Sequence, residues 1–361
     1  MPRTSSPRTV PFALAALLLA PAAAALDAPA LPASAIPDAA RTAGPQTAPP
    51  GLDAAFQALQ GLFADKRVTA AEGNSVVPAA ERMQMVGSAR TRFHGQLAAM
   101  LAAEPEDGPA LAPVRSEGDA LLSELDRLMA RGEIDPRAGL RASAEDPPAA
   151  AQPRELRIGV YPVAADPFQW AHILIGLRAM AAFRLDKVVF ILAGDDPRKP
   201  DMTKAGLRHT MGRAVLDQFA PFFTYSPLAV GATSDGETNI FRLLALNKSQ
   251  RLKAFYLAGG EHYRLKDKNG NDDTLPRLER LLREPASLHT PGSHSLEVAF
   301  ISREGMDGHV PTSLDVHILP NMSFEASSSM ARGGRHALMP FAAYDYVLRH
   351  RPGLYGIGSP K

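Results

Sequence analysis

The fold follows from residues 156–199, in which LRIGVY (156–161), DPFQWAH (166–172), ILIGLRAMAAF (173–183) and KVVFIL (187–192) precede the loop AGDDPRK (193–199). Two short apolar runs flank an amphipathic run of helix length, and this pattern predicts one βαβ unit. The loop at 166–172 then lies at the carboxyl end of a parallel sheet, against a helix N-terminus. Open α/β sheets bind phosphorylated ligands at that position.

The same alternation continues toward the C-terminus. Helices are predicted at 207–219, 239–246, 275–283 and 341–350, and strands at 222–225, 254–258, 296–301 and 316–319. Alternating strands and helices predict an α/β domain over residues 155–361, with a doubly wound, mostly parallel sheet and helices on both faces.

The preceding segment, 51–142, has a helical pattern. Its apolar residues recur at spacings of three and four: Leu52, Phe56, Leu59, Leu62 and Phe63; Val86, Phe93, Leu97, Met100 and Leu101; Leu121, Leu125, Leu128 and Met129. We expect these stripes to form the core of a small all-α domain. Segments 65–72 and 131–137 lack the alternating oxygen ligands and the central glycine of a calcium loop, so calcium binding is not expected there.

The first 25 residues have the features of an export signal. Arg3 and Arg8 precede an apolar run at 10–20, and small residues follow at 23–25. The run is shorter than the roughly 20 residues of a membrane span; an uncleaved anchor or an Ala-rich leader is the alternative. We predict a signal peptide at 1–25, a Pro/Ala-rich linker at 26–50, a second linker at 143–154, no stable membrane span after signal removal, and an exported, periplasmic or secreted protein.

The composition excludes several classes of site. Lys and Arg together number 39 and Asp and Glu 38, so net charge gives no reason to expect nucleic acid or an anionic membrane as a partner. The sequence has no cysteine, which excludes disulfides, thiol catalysis and thiolate zinc sites. A small anionic ligand needs only a local positive pocket, so the near-neutral net charge does not argue against one.

Three segments carry groups suited to binding phosphate. His172 lies at the start of the second predicted element, Lys199 lies on a Pro-flanked loop, and 327–332 offers three serine hydroxyls and Arg332 at the start of a predicted helix. Each segment has an ordinary structural alternative: a surface or capping histidine, a common βα turn, and a Ser-rich N-cap.

In this order the segments resemble the nucleotidyltransferase superfamily, and most closely the bacterial nicotinate mononucleotide adenylyltransferase family. That family carries an Asp-Pro-x-His-x-Gly-His loop, a Gly-x-x-Pro-x-Lys-Pro loop, a Gly-x-Asp turn and an Ile-Ser-Ser-Thr-x-x-Arg segment. The counterparts here are 166–172, 194–200, 259–261 and 326–332, with further matches at Arg208, Met211, Thr238 and 339–355. The resemblance covers residues 156–355 and implies a Rossmann-like fold.

The resemblance also implies an activity. It implies adenylyl transfer from ATP, carrying Mg²⁺ on its triphosphate, to a phosphorylated acceptor such as nicotinate mononucleotide, with release of pyrophosphate and no protein ligand to the metal. The implied catalytic residues are His172, Gln169, Lys199 and Arg332; the implied nucleotide-binding residues are Asp166, Ala171, Gly259, Glu261, Ser327, Ser328 and Ser329; Thr238 is implied on the acceptor side.

This chain departs from the family pattern at several points: residues 162–165 replace the paired glycines and phenylalanine before Asp166, and Ser329 stands where threonine is common. Gln169 replaces the first motif histidine, Ala171 the glycine and Glu261 the aspartate, and the downstream tryptophan is missing. Gln169 cannot carry positive charge, and loss of one charge-assisted contact costs a few kcal/mol, on the order of a hundredfold in rate. Two hypotheses therefore stay open: an active transferase of adenylyl or other nucleotidyl groups, and an exported nucleotide- or partner-binding protein with weak or no activity.

Overall fold

The computed structural model describes residues 76–358, apart from 151, 153, 198, 233–234, 285–292, 303–305, 307–308 and 323. The predicted signal peptide, the first linker and the apolar stripe at 52–63 lie outside the described residues. Within the described ranges, no helix combines the length and the hydropathy needed to cross a membrane.

The described chain begins with two helices, α1 (Ala79–Ala103) and α2 (Gly108–Ala130), which a short 3₁₀ turn connects. The strands are β1 (Leu156–Val163), β2 (Lys187–Leu192), β3 (Phe223–Ser226), β4 (Leu252–Gly259), β5 (His294–Ile301) and β6 (Asp315–Leu319). The later helices are α3 (Trp170–Phe183), α4 (Ala205–Leu216), α5 (Gly236–Leu246), α6 (Thr274–Arg283), α7 (Ser328–Arg332) and α8 (Phe341–His350).

The strands form one sheet in the order β3-β2-β1-β4-β5-β6, and every pairing is parallel. Val160 of β1 aligns with Val189 of β2 on one side and with Tyr256 of β4 on the other. The strand order reverses between β1 and β4, so the loops that leave these two strands diverge and open a crevice at the carboxyl edge. The predicted α/β class is confirmed.

Helix α3 lies unusually close to the sheet. A Cβ atom built on Gly176 would lie 2.9 Å from the ring of Phe223 and 3.1 Å from the ring of Phe190. Only glycine accommodates this approach, because any side chain would collide with two buried aromatic rings. The close approach fixes where the N-terminus of α3 lies at the carboxyl edge.

Helices α1 and α2 share one hydrophobic core with the α3 side of the sheet. Phe93 of α1 is fully buried and meets Trp170, the first residue of α3, edge to face at 5.5 Å between ring centroids. A Cβ atom on Gly118 of α2 would lie 2.3 Å from the Phe93 ring. The cores on the two sides of the predicted linker at 143–154 are therefore continuous, and the domain boundary itself stays a prediction.

One expected core residue of α1 is exposed. Met100 is fully buried, whereas Leu101 is 44% exposed. Neighbouring residues on a helix point about 100° apart, so α1 presents Met100 to the core and turns Leu101 away from it. The expectation that Leu101 belongs to the core was wrong.

Buried Asp186 fixes the start of β1. Arg154 donates from both terminal nitrogens to its carboxylate, each at 2.8 Å, and the backbone N–H groups of Arg157 and Asp135 add bonds of 2.9 and 2.7 Å. A buried carboxylate with four donors is fully compensated for its loss of water.

Candidate functional site

The loop after β1 leads directly into α3. Gln169 has an extended backbone and forms the N-cap, and α3 begins at Trp170. The indole Nε1 of Trp170 donates to the carbonyl oxygen of Ala337 at 3.0 Å. Gln169 also closes a capping box, in which its side chain accepts from the His172 backbone N–H. The N-terminus of α3, with its partial positive charge, lies at the carboxyl end of β1, a position that attracts anions.

His172 is held as a neutral ring. Its Nδ1 accepts a hydrogen bond from the Gln169 backbone N–H at 3.1 Å, and its ring packs edge to face on Phe168 at 5.0 Å. Burial lowers the pKa of His172 to about 4, so the imidazole is uncharged at neutral pH. Because Nδ1 accepts, Nε2 carries the proton, and His172 offers a single uncharged donor.

Gln169 and Ser328 join the two ends of the α/β region. The Gln169 Nε2 donates to the Ser328 Oγ at 2.5 Å, although the residues are 159 positions apart. The Ser328 hydroxyl in turn donates to the carbonyl oxygen of Pro167 at 3.4 Å. The structure thus brings the first motif and the C-terminal serine segment into direct contact.

Arg332 contacts the same loop. Its Nη1 donates to the Asp166 carbonyl oxygen and lies 3.7 Å from the Asp166 Oδ2, and its Nη2 donates to the Ser329 Oγ at 3.3 Å. Ser327 caps α7 by accepting the Met330 N–H at 3.2 Å. All three serine hydroxyls of this segment therefore have partners inside the protein, and binding of a triphosphate there requires exchange of these contacts.

Asp166 is buried and connects three segments. Its Oδ1 accepts from the Tyr355 hydroxyl at 2.6 Å, and its Oδ2 accepts from the Thr203 backbone N–H at 3.2 Å. These bonds, together with the nearby Arg332, hold the loop at 166–172 in its conformation. Ala171, in the first turn of α3, is 5% exposed, so surrounding protein covers most of its methyl group.

Arg208 connects the loops that follow β1 and β2 with the segment that precedes α4. Its fully buried guanidinium donates to the carbonyl oxygens of Thr203 (2.6 Å), Ala164 and Gly194 (2.8 Å). Burial lowers the pKa of Arg208, and nearby Asp166 partly offsets this effect. The sequence pattern assigned no role to Arg208. Only its match to a residue of the family singled it out.

Lys199 lies on the loop that follows β2. The start of this loop is fixed beside β1, because the Ala193 N–H donates to the Val163 carbonyl oxygen at 2.8 Å. The Lys199 backbone N–H donates to the Asp196 carbonyl oxygen at 2.9 Å. The Lys199 side chain is exposed. Among the described residues no contact joins Lys199 to His172 or Arg332, so their convergence on one anion stays a prediction.

The remaining candidates lie at the ends of β4 and α5. β4 ends at Gly259, and a Cβ atom there would lie 2.2 Å from the Glu261 Oε2, so the exposed Glu261 folds back over this glycine. Thr238 lies in the first turn of α5, where its hydroxyl donates to the Asp235 carboxylate at 2.9 Å. The described contact of Thr238 is therefore that of a helix cap.

The described residues contain no group of three or more histidine, aspartate or glutamate side chains that is placed to hold a metal ion.

Curated relatives match parts of the chain, and no family model matches it. Probable nicotinate-nucleotide adenylyltransferases of a Thermoanaerobacter species, Thermus thermophilus and Clostridium beijerinckii are 31%, 28% and 35% identical over 78, 113 and 68 residues. These matches cover 21%, 30% and 18% of this chain, and the chain spans 37%, 58% and 33% of the length of those relatives.

Two solved structures of Plasmodium falciparum nicotinic acid mononucleotide adenylyltransferase, complexed with APC and with NaAD, align with 56% of this chain and 98% of theirs. Their identities are 11% and 14%, and their TM-scores are 0.38 and 0.39. The sequence matches, taken with the parallel sheet and the motif order, confirm the resemblance: this chain is similar, at low identity, to nicotinate-nucleotide adenylyltransferases.

Proposed function

We propose that the chain is a nucleotidyltransferase that moves the adenylyl group of ATP to nicotinate mononucleotide or a similar phosphorylated acceptor. The observation that carries this proposal is the Gln169–Ser328 contact, which joins two motif segments beside the N-terminus of α3. The similarity to nicotinate-nucleotide adenylyltransferases supports the choice of ATP and of a mononucleotide acceptor.

In the proposed reaction a phosphate oxygen of the acceptor attacks the α-phosphorus of ATP. A new P–O bond forms as the bond from the α-phosphorus to the bridging oxygen breaks, and pyrophosphate leaves with that electron pair. The enzyme forms no covalent intermediate, so the protein contributes position and charge. Mg²⁺ bound to the triphosphate neutralises part of its negative charge.

The residues of the proposed site contact different parts of the triphosphate. His172 donates from Nε2 to an α-phosphate oxygen, and the N-terminus of α3 adds a partial positive charge. Gln169 donates without charge, so Lys199 and Arg332 supply the positive side chains for the outer phosphates. Because two of the four motif side chains are neutral, we expect slower turnover than a site with two charged groups in their place.

A second candidate is a nucleotide-binding protein with weak or no activity. The contact of Arg332 with Asp166 favours it, because it occupies a guanidinium that the outer phosphates of ATP require. The proposed signal peptide favours it as well, since export takes the protein away from cytoplasmic ATP.

Calorimetry of the full chain with ATP and Mg²⁺, together with a pyrophosphate-release assay with nicotinate mononucleotide, tests the proposal. We expect binding, acceptor-dependent release of pyrophosphate, and faster release in Gln169→His. Gln84→His, at an exposed position of α1, is the matched control and leaves both unchanged. Binding without turnover in both the native chain and Gln169→His supports the second candidate. Absence of binding in both contradicts both candidates.

A further inference from the structure

Glu104, directly after α1, contacts the C-terminal part of the chain. Its Oε1 accepts a hydrogen bond from the Tyr344 hydroxyl at 3.2 Å and lies 3.3 Å from Nδ1 of His336. These partners are more than two hundred positions away, so the end of α1 is tied to the segment that follows α7. The contact is partly covered, with the His336 side chain 13% exposed.

His336 also contacts Tyr355. Its Nε2 donates to the carbonyl oxygen of Tyr355 at 2.8 Å. Both ring nitrogens of His336 therefore face acceptor oxygens, one on Glu104 and one on Tyr355.

Tyr355 has a backbone conformation that suits this connection. Its φ of 58° is uncommon for a residue with a side chain, and the surrounding contacts must hold it. Its hydroxyl donates to the Asp166 Oδ1 at 2.6 Å. Burial and the neighbouring Asp166 carboxylate raise the pKa of Tyr355, so the hydroxyl keeps its proton and stays a donor.

The chain of contacts ends in the candidate site. Asp166 accepts the Thr203 N–H, its carbonyl oxygen accepts from Arg332, and Gln169 three residues later caps α3. A shift of Asp166 would therefore move the loop that orients His172.

We propose that Glu104, His336 and Tyr355 are positioning residues that connect the N-terminal helices to the loop at 166–172. By this route α1 helps to set the geometry of the site, which gives the helical segment a role in the reaction. The effect on turnover rests on the proposed function, whereas the effect on the loop does not.

Hydrogen exchange measured by mass spectrometry or NMR tests the connection without any nucleotide. The reporters are the N–H of Thr203, bonded to Asp166, and the N–H of Gln169, bonded to His172. In Glu104→Ala and in Tyr355→Phe we expect both to exchange about tenfold faster, because local opening becomes easier. Glu106→Ala, at an exposed position two residues from Glu104, is the matched control and leaves both rates unchanged.

Two further comparisons separate positioning from general loss of structure. The double variant Glu104→Ala with Tyr355→Phe should change the reporters no more than the larger single variant, because both break one series of contacts. Glu104→Gln, which keeps an acceptor oxygen, should restore most of the native exchange rate. If Glu104→Ala speeds exchange only near 100–110 and 336–344, the connection ends at His336 and the proposal is wrong.

The kinetic measurement is separate. In a chain that turns over, Glu104→Ala should lower kcat about tenfold with a smaller change in KM for ATP, because misplaced donors weaken the transition state most. A native chain that binds no ATP contradicts the proposed function, and the exchange measurement still decides the connection. A change in KM alone, with native exchange at the reporters, contradicts the positioning role.

Discussion

The Gln169 side-chain amide donates to the Ser328 hydroxyl, and this bond of 2.5 Å joins a loop after the first strand to a helix near the C-terminus. A histidine occupies the position of Gln169 in the family motif, and the Gln169 amide, unlike an imidazole, cannot carry a positive charge. The bond holds the two segments together before any ligand arrives.

Ser328→Ala removes the acceptor of this bond. The free energy of unfolding should fall by about 1 kcal/mol, because the buried Gln169 amide loses its partner. Urea denaturation measures the change, and Ser249→Ala, on an exposed turn, serves as the control with a change near zero. Equal stability of Ser328→Ala and the control would show that the Gln169 amide finds another partner.

Arg208→Met should be among the most damaging substitutions in the chain. It leaves three loop carbonyl oxygens without their buried donor, so we expect a loss of about 2–4 kcal/mol in the free energy of unfolding. Thermal and urea unfolding measure it. Arg213→Met, on the same helix with a mostly exposed side chain, should lose less than about 1 kcal/mol.

Replacement of two buried arginines near the start of β1 should change the free energy of unfolding in different ways. Arg154 holds the Asp186 carboxylate, so Arg154→Met leaves a buried charge unpaired and should cost about 3–5 kcal/mol. Arg157 is 7% exposed, and its Nε has no hydrogen-bond partner. Burial lowers the pKa of Arg157, and the nearby Asp186 carboxylate offsets only part of this effect.

Arg157→Met should therefore be neutral or stabilising, because the long apolar side chain keeps the packing on Phe255 and removes the buried charge. Chemical denaturation of both variants under one condition decides the comparison. A loss for Arg157→Met as large as that for Arg154→Met would mean that Arg157 has a strong partner.

His172 should make stability depend on pH. Burial lowers its pKa in the folded state to about 4, below the ordinary value of 6.5. Between pH 6.5 and 4 the unfolded chain binds a proton that the folded chain does not, so stability falls as pH falls through this range. Because the side chain is partly exposed, we expect a contribution of about 1–2 kcal/mol.

His172→Asn removes this titration and keeps an acceptor for the Gln169 N–H. Its free energy of unfolding should decline less than that of the native chain between pH 6.5 and 4. His309→Asn, at an exposed position, should follow the native curve. Parallel curves for the native chain and His172→Asn would contradict a lowered pKa of His172 in the folded state.

The elements of the fold were predictable because local sequence specifies them. The last helix occupies residues 341–350 as predicted, and the strands begin and end within a few residues of the predicted bounds. Apolar periodicity records which face of an element meets the core, and that signal is local. The parallel pairing follows from the alternation of strands with helices.

The polar contacts of the site were not predictable in the same way. The pattern brought Arg332 and Asp166 to one edge of the sheet, but it could not show that Arg332 bonds to the Asp166 backbone. Such contacts depend on loop geometry and on competition among several donors for one oxygen. Tyr355 illustrates this, since its role depends on an unusual backbone angle near the end of the chain.

The edge-to-face pair of Phe93 and Trp170 makes the packing of the α/β part of the chain depend on the N-terminal helices. A homologue that lost helices α1 and α2 would expose an indole and the adjoining aliphatic side chains of α3 to water. We expect such a homologue to carry a smaller or polar residue at the start of that helix.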